Sequence, residues 1–329
     1  LRDRLYGKLE NPLADLTVRP KLAIMRIAVT GGAGFIGSHL AEKLIENHEV
    51  KILDNLSSGL EENIPEDAEL EKVDIKNQEE VTEALENVET VFHFAANPKV
   101  NTFPDDRDKD FDENLRGTKS ILEACVENDI DDLVFASSSV VYGEDAEIPT
   151  PENADFDPIS MYAATKSGGE HMCQVYARTF DIDLTVLRLA NIVGGRNQKG
   201  VIYDFVHKLK DNPESLTILG NGKQRKSYLH ISDTVDGIIH AWNSEKTVFN
   251  IGAEDAIDVD GIADVVADEL DLDPKYEYTG GDRGWQGDVP DMRLKIGKLK
   301  SEGWHPEHDS QESVRKTARE INDRIKFRS

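Results

Sequence analysis

Thr30-Gly31-Gly32-Ala33-Gly34-Phe35-Ile36-Gly37 follows the apolar run Arg26–Thr30 and opens an amphipathic stretch, Ile36–Glu46. Its glycines at 31, 34 and 37 have the spacing G-x-x-G-x-x-G. Gly31 permits a tight turn, Gly34 lets backbone approach a pyrophosphate, and Gly37 lets the helix pack closely on the strand. Phosphates then sit at the positive helix N-terminus, with Phe35 and Ile36 as the first helical residues beside them. Glycines alone are weak evidence; the strand before and the helix after carry the reading.

Asp54 ends the next apolar run, Val50–Leu53, 23 residues past Gly31. A carboxylate there accepts both ribose hydroxyls and repels a 2′-phosphate, which favours NAD over NADP. Asn55 and Ser57 continue this site. Asp74-Ile75 follows the third strand, where Asp74 either holds the adenine amino group or stands as an exposed turn residue.

Further runs at Val91–Ala95, Leu133–Ser137 and Leu184–Leu189 alternate with helical patterns near Gln78–Leu85, Asn114–Glu127 and Tyr162–Thr179. Apolar strands spaced by helices indicate a parallel sheet covered on both faces. The rhythm loosens after Asn191. The expected division is therefore an NAD-binding domain over 25–190 and a smaller substrate lobe over 191–329. Asp233–Trp242 and Val248–Gly252 are expected to return to the first domain, within a segment near 233–252.

The chain of 329 residues carries 38 Lys and Arg against 64 Asp and Glu, a net charge of −26. Such a surface repels nucleic acid and anionic lipid, so neither is an expected partner. Its acidic clusters, Pro104–Asp112 and Glu254–Asp260, suit an ordinary acidic enzyme or, as the favoured reading, a halophilic protein kept hydrated in high salt. No apolar run reaches the roughly 18 residues of a membrane span. Residues 1–24 hold five basic and three acidic side chains and no apolar signal stretch; with Met25 directly before the first strand, they read as a leader or appended extension. Cys125 and Cys173 cannot build a disulfide framework, so buried thiols in a reducing cytoplasm are expected. None of the nine histidines makes a metal-ligand pair at recognisable spacing, and no metal is expected. Packing or backbone hydrogen bonds account for His39 and His93.

Of eight tyrosines only Tyr162 has a lysine four residues on, Lys166. On a helix that spacing shares a face, so the ammonium can stabilise a phenolate and lower the tyrosine pKa from about 10 toward neutrality. Such a tyrosine can act as a general base. Ser137-Ser138-Ser139-Val140-Val141-Tyr142-Gly143 lies at the C-terminal end of a strand some 25 residues earlier, the edge at which open α/β sheets bind ligands.

The segments Thr30–Gly37, Asp54-Asn55, Asn114–Thr118, Ser137–Gly143, Tyr162–Lys166 and Leu187–Asn191 resemble extended short-chain dehydrogenases, nearest to UDP-glucose 4-epimerases. The resemblance covers nearly everything after Met25. It implies a Rossmann-type doubly wound parallel sheet, with a smaller C-terminal lobe for a UDP-sugar, and NAD as cofactor. Ser138, with Ser139 as the neighbouring alternative, matches the catalytic serine, Tyr162 the base, and Lys166 the residue that bonds the nicotinamide ribose. Phe94 matches a residue beside the cofactor, Lys99 a pyrophosphate contact, and Asn114 a further cofactor-site position. Asn191 and the segment Gly220–Tyr228 match the grip on the nucleotide diphosphate. Lys226 stands where the family has arginine, and Arg225 is its neighbour; lysine lacks the bidentate fork. Asp288 matches the acidic member of a later arginine–aspartate pair, and Arg283 lies two residues early for the basic member. Met292 matches a position limiting room at the sugar C2.

The implied activity is interconversion of UDP-glucose and UDP-galactose through a transient 4-keto sugar. UDP-N-acetylhexosamine epimerisation and UDP-glucuronate epimerisation or decarboxylation share the scaffold. A 4,6-dehydratase needs an acid and a base after Ser138, where this chain has Ser139 and Val140. A threonine-type dehydrogenase would not need Gly220–Tyr228, and a non-catalytic NAD sensor would not need Ser138, Tyr162 and Lys166 together. The family pattern also implies a homodimer, pairing helices near Arg116–Asn128 and Tyr162–Thr179.

Overall fold

The computed structural model describes residues 24–97, 105–281 and 289–328; the expected leader, apart from Ile24, lies outside them. Seven strands form one sheet in the order Val248–Ile251, Asp183–Leu189, Asp132–Ser138, Thr90–His93, Arg26–Thr30, Glu49–Leu53, Glu69–Glu71. The register runs in parallel, with Arg26 opposite Glu49 and Thr30 opposite both Leu53 and His93. Parallel neighbours cannot be joined by a tight hairpin, which is why helices Phe35–Leu44 and Gln78–Ala84 separate the strands in sequence. The expected strands are found to within one or two residues. The chain thus has the parallel α/β sheet read from its periodicity and the Rossmann-type doubly wound architecture that the resemblance implied.

Chain contacts divide the molecule into two compact units. One comprises the described residues of Leu1–Pro98, Asp105–Ala136 and Thr165–Val186; the other comprises those of Lys99–Pro104, Ser137–Ala164 and Leu187–Ser329. Ser137–Ala164, which the sequence rhythm assigned to the first domain, belongs to the second unit. The first unit buries Ile27, Val29, Ile52, Leu53, Val91 and Phe92 completely. These strands read as continuous apolar runs because both of their faces are covered.

Asn114–Glu127, expected as one helix, begins differently. Phe111–Arg116 is a π-helical turn, and the α-helix proper is Gly117–Glu127. The Thr118 hydroxyl donates back to the Asn114 carbonyl one turn earlier. Gly117 lets this turn sit close to Ile75: a Cβ would lie 2.4 Å from the end of the Ile75 side chain, which would have to shift.

In the second unit, helices Val201–Asp211, Val259–Glu269 and Ser310–Arg328 close over the parallel pair Ser215–Ile218 and Lys275–Tyr278. Ile202, Phe205, Val206, Leu216, Ile262 and Val314 form its core. Asp258 caps Val259–Glu269, its carboxylate accepting from the Gly261 N–H at 2.8 Å.

Candidate active site

The glycine loop is built by backbone that tolerates no side chain. Gly31 has φ +69°, and a Cβ on it would stand 2.7 Å from the Ala95 nitrogen; a Cβ on Gly37 would stand 2.3 Å from the Gly31 oxygen. Gly34 donates to the Gly31 carbonyl at 3.0 Å and caps the helix Phe35–Leu44 with extended backbone. No side chain caps that helix and no acidic residue lies in its first turn. Its leading N–H groups therefore remain suited to an anion.

Asp54, buried at the end of its strand, is locked to this loop. Its carboxylate accepts from the Ala33 N–H at 3.1 Å and the Leu56 N–H at 2.8 Å. A carboxylate has about four acceptor sites, so two bonds orient it and leave capacity for ribose hydroxyls. The residues present fit NAD: a glycine cradle, an open helix start and an oriented carboxylate. Asn55 is half-buried and takes the N–H of exposed Ser57 at 3.0 Å. Asp74 is a turn residue, accepting from the Lys76 N–H at 3.0 Å and pairing with its ammonium at 3.2 Å. Ile75 is buried, and Phe94 is half-buried after its strand.

Behind the loop runs a line of buried polar groups. His93 Nδ1 lies 2.7 Å from the Thr30 hydroxyl and its Nε2 lies 3.0 Å from the Thr118 hydroxyl. It is buried and packs against Phe135 with ring centroids 5.8 Å apart, the packing alternative of the expectation, while its hydrogen-bond partners are side-chain hydroxyls and not backbone groups. Burial, with the positive Lys166 as a lesser cause, lowers its pKa to about 3. Asn114 takes the Asn97 N–H at 2.8 Å and donates to Thr165 at 2.9 Å, so its amide ties elements of the first unit together. Lys166 is 5% exposed; its ammonium donates to the Ala136 carbonyl at 2.8 Å and lies 5.2 Å from the Phe135 ring centroid. Burial lowers its pKa to about 8.

In the second unit, Ser138 caps the 3-10 turn Ser139–Tyr142 with its hydroxyl toward the Val140 N–H at 3.5 Å. Ser139 is buried, Ser138 half-buried. Tyr162 is half-buried in the first turn of Met161–Phe180. Asn191 donates to the Ser227 carbonyl at 3.0 Å.

Asn191, Gln224, Lys226 and Tyr228 line one cavity of about 510 Å³, walled mostly by apolar groups such as Ile202, Phe205 and Val259. Arg225 is exposed and directs a guanidinium nitrogen to the Ala256 carbonyl at 3.3 Å. Adjacent residues of a strand face opposite ways, which is why Lys226 lines the cavity and Arg225 does not. Met292, opposite Lys226 in the strand pair, is buried. Lys99, Arg283 and Asp288 lie outside the described residues.

Spatial groupings that spacing did not reveal also occur. Asp233, Glu307 and His308 bring ligand-type atoms within 4.8 Å of one another. The Asp233 carboxylate there accepts the N–H groups of Glu307 and His308, at 3.1 and 3.0 Å, which accounts for it as the anchor of that turn. Cys125 and Cys173 are buried free thiols, and burial raises both pKa values, Cys125 to about 12. Among the described residues no helix is long and apolar enough to cross a membrane.

A model of the NAD dependent epimerase/dehydratase family matches residues 27–252. A Methanocaldococcus jannaschii protein, provisionally named a UDP-glucose 4-epimerase, is 37% identical over 298 residues, covering 88% of this chain and 96% of its own. A solved UDP-galactose 4-epimerase superposes with a TM-score of 0.84 at 42% identity, over 92% of this chain and 100% of that one. The UDP-N-acetylglucosamine 4-epimerase of Methanobrevibacter ruminantium, in complex with UDP-N-acetylmuramic acid, also gives 0.84, at 28% identity over 92% and 99%. With its glycine cradle and Asp54 in place, the chain belongs to the NAD-dependent epimerase/dehydratase family, with NAD as its cofactor.

Proposed function

We propose that this enzyme is a nucleotide-sugar 4-epimerase, interconverting UDP-glucose and UDP-galactose through a transient 4-keto sugar. The observation that carries the reading is the cavity of about 510 Å³ on which Asn191 and Lys226 converge. That volume falls in the range of sites for drug-sized ligands, about 300–1,000 Å³, and suits a nucleotide better than a small alcohol such as threonine. A cation and an amide at its wall suit a diphosphate.

In this mechanism Tyr162 takes the proton of the sugar 4-hydroxyl. NAD, which the glycine loop Gly31–Gly37 and Asp54 would hold, would supply the acceptor for the C4 hydride and the donor for its return. Ser138 donates to the sugar oxygen as it becomes a carbonyl. Lys166 supplies the positive charge that its spacing from Tyr162 assigns to phenolate stabilisation. After the 4-keto sugar turns over, Tyr162 gives the proton back, so protons and electrons balance without an external oxidant. Asn191 and Lys226 hold the diphosphate while the sugar moves; Asp288 and Arg283 belong to the same substrate set, and Lys99, Asn55, Ser57 and Asp74 to the cofactor set.

We further read the protein as a cytoplasmic homodimer adapted to salt. Val175, 60% exposed, is an apolar side chain on the second of the segments that would pair, Tyr162–Thr179, and Phe111, 55% exposed, lies in the turn just before the first, Arg116–Asn128.

The test is incubation of the purified enzyme with UDP-galactose in molar KCl and no added NAD, following UDP-glucose by chromatography and NADH by absorbance. Conversion without net NADH is expected. Conversion of UDP-N-acetylglucosamine or UDP-glucuronate alone would replace the sugar; NADH release from threonine would overturn the reading.

A further inference from the structure

The C-terminal helix Ser310–Arg328 carries polar side chains at Ser310, Ser313, Glu320 and Arg324. Spacings of three, seven and four residues align them on one stripe. That stripe is docked on the parallel pair Asn191–Val193 and Tyr228–His230. Ser310 accepts the Tyr228 N–H at 3.0 Å, and Ser313 accepts the His230 N–H at 3.2 Å. Two turns on, Glu320 reaches past the strand ends. Its Oε2 accepts the Gly195 N–H at 2.8 Å and lies 3.3 Å from His230 Nε2. Arg324 donates to the Gly195 carbonyl at 3.4 Å. Both backbone polar groups of Gly195 are thus held by one turn of one helix.

Gly195 is fitted to this contact. Its φ lies outside the left-handed region, so backbone conformation does not call for glycine there. A Cβ on it would nevertheless stand 2.7 Å from the Glu320 Cβ, an atom fixed by the helix backbone and unable to swing aside. His230 sets the direction of the carboxylate. Its Nδ1 accepts the Ser232 N–H at 3.2 Å as the cap of the helix Ile231–Trp242. In the neutral ring the proton therefore sits on Nε2, the nitrogen that faces Glu320. The carboxylate is held between two donors.

What this grip controls is the loop 194–200. It leaves the strand of Asn191 and ends at Gly200, the cap of Val201–Asp211. Asn197, Lys199 and Gly200 from this loop line the same cavity as Asn191. The Asn197 N–H closes a turn on the Gly194 carbonyl at 3.0 Å, and the Asn197 side chain accepts the Lys199 N–H at 3.1 Å. A shift of Gly195 is therefore passed along to the cavity wall.

We propose that Glu320 is a positioning residue: by holding Gly195 it fixes the loop 194–200 and so sets affinity for the nucleotide-sugar, without touching the reacting atoms. This rests on the nucleotide-sugar reading above.

The test uses the whole NAD-loaded enzyme, with UDP affinity from calorimetry and KM and kcat from UDP-galactose. Glu320→Ala is expected to weaken UDP and raise KM about tenfold, the scale of one hydrogen bond to a charged group. Its kcat should stay within about twofold, as for a loss of uniform binding. Glu320→Gln keeps an acceptor oxygen without the charge and should bring UDP affinity back to within about threefold of wild type. Gly195→Ala pushes the loop off an intact Glu320 and should reproduce Glu320→Ala; it carries the test if Glu320→Ala does not fold. Hydrogen exchange without nucleotide should quicken across 194–200 in Glu320→Ala and stay unchanged across 30–37. UDP affinity that ignores Glu320→Ala and Gly195→Ala would overturn this inference alone. So would a loss that Glu320→Gln does not restore. Quickened exchange along the whole C-terminal helix, with kcat falling alongside affinity, would mark a merely structural role and overturn it too. Absence of UDP binding to the unaltered enzyme would overturn the nucleotide-sugar reading and this inference with it.

Discussion

Arg188 donates to the phenolic oxygen of Tyr142 at 2.7 Å, and that hydroxyl in turn donates to Asn250 Oδ1 at 2.8 Å. The guanidinium also reaches the Glu152 carbonyl at 2.6 Å and lies 5.0 Å from the Tyr142 ring centroid. Tyr142 is 1% exposed, and burial pushes its pKa up to about 12. It is the last residue of the turn that Ser138 caps. This side chain therefore anchors the segment that carries the proposed catalytic serine.

Tyr142→Phe removes one hydroxyl and strands a donor on Arg188 and an acceptor on Asn250. The expected loss of stability is about 1–3 kcal/mol, read from urea unfolding at constant m-value. A midpoint equal to wild type would show that the network does not hold the turn.

Tyr162→Phe should lower turnover by about 10²–10⁴-fold, the usual worth of a general base, with UDP affinity by calorimetry unchanged. Retained turnover would remove Tyr162 from the proposed mechanism.

Lys166 has its pKa lowered to about 8 by burial, so its charge is lost as pH rises through that value. Turnover should decline on the alkaline side near pH 8. In Lys166→Arg the cation persists to far higher pH, so whatever activity this variant retains should lack that limb. The same limb in both proteins would assign it to another group.

His93 titrates near 6.5 when unfolded and at about 3 when folded. The unfolded chain therefore binds the extra proton first, and stability is present above pH 6.5 and lost as pH falls toward 3. Each pH unit in that window costs about 1.4 kcal/mol from this group. Carboxylates also titrate there, so the measurement is the difference in unfolding free energy between wild type and His93→Gln from pH 7 to 4. A constant difference would mean that His93 is not held neutral.

With a net charge of −26, mutual repulsion should yield to screening as the Debye length falls from about 10 Å at 0.1 M salt to about 3 Å at 1 M. The melting temperature is expected to rise by several degrees between 0.1 and 2 M KCl. A flat response would count against adaptation to salt.

The glycine loop, the Asp54 carboxylate and five strands of the sheet were legible because each depends on near neighbours. A G-x-x-G-x-x-G turn needs only its own backbone freedom, and a parallel strand shows itself as an apolar run wherever both faces are covered. That Tyr162 and Lys166 share one helix was legible for the same reason, since helical periodicity alone relates them. The π turn at Phe111–Arg116 was not; next to it Gly117 sits against the Ile75 side chain, a contact between residues 42 apart that leaves no local mark.

Between Arg225 and Lys226 the residue types left the phosphate ligand open. The side each residue faces follows from the register in which Arg225–Lys226 pairs with Ile257–Asp258 and Asp291–Met292, and pairing between segments 30 to 70 residues apart leaves no local mark. The cavity itself draws Asn191, Gln224 and Thr317 from three distant stretches. The glycine turn was thus written in short-range pattern, while the cavity arises from long-range packing, where side chains remote in sequence meet.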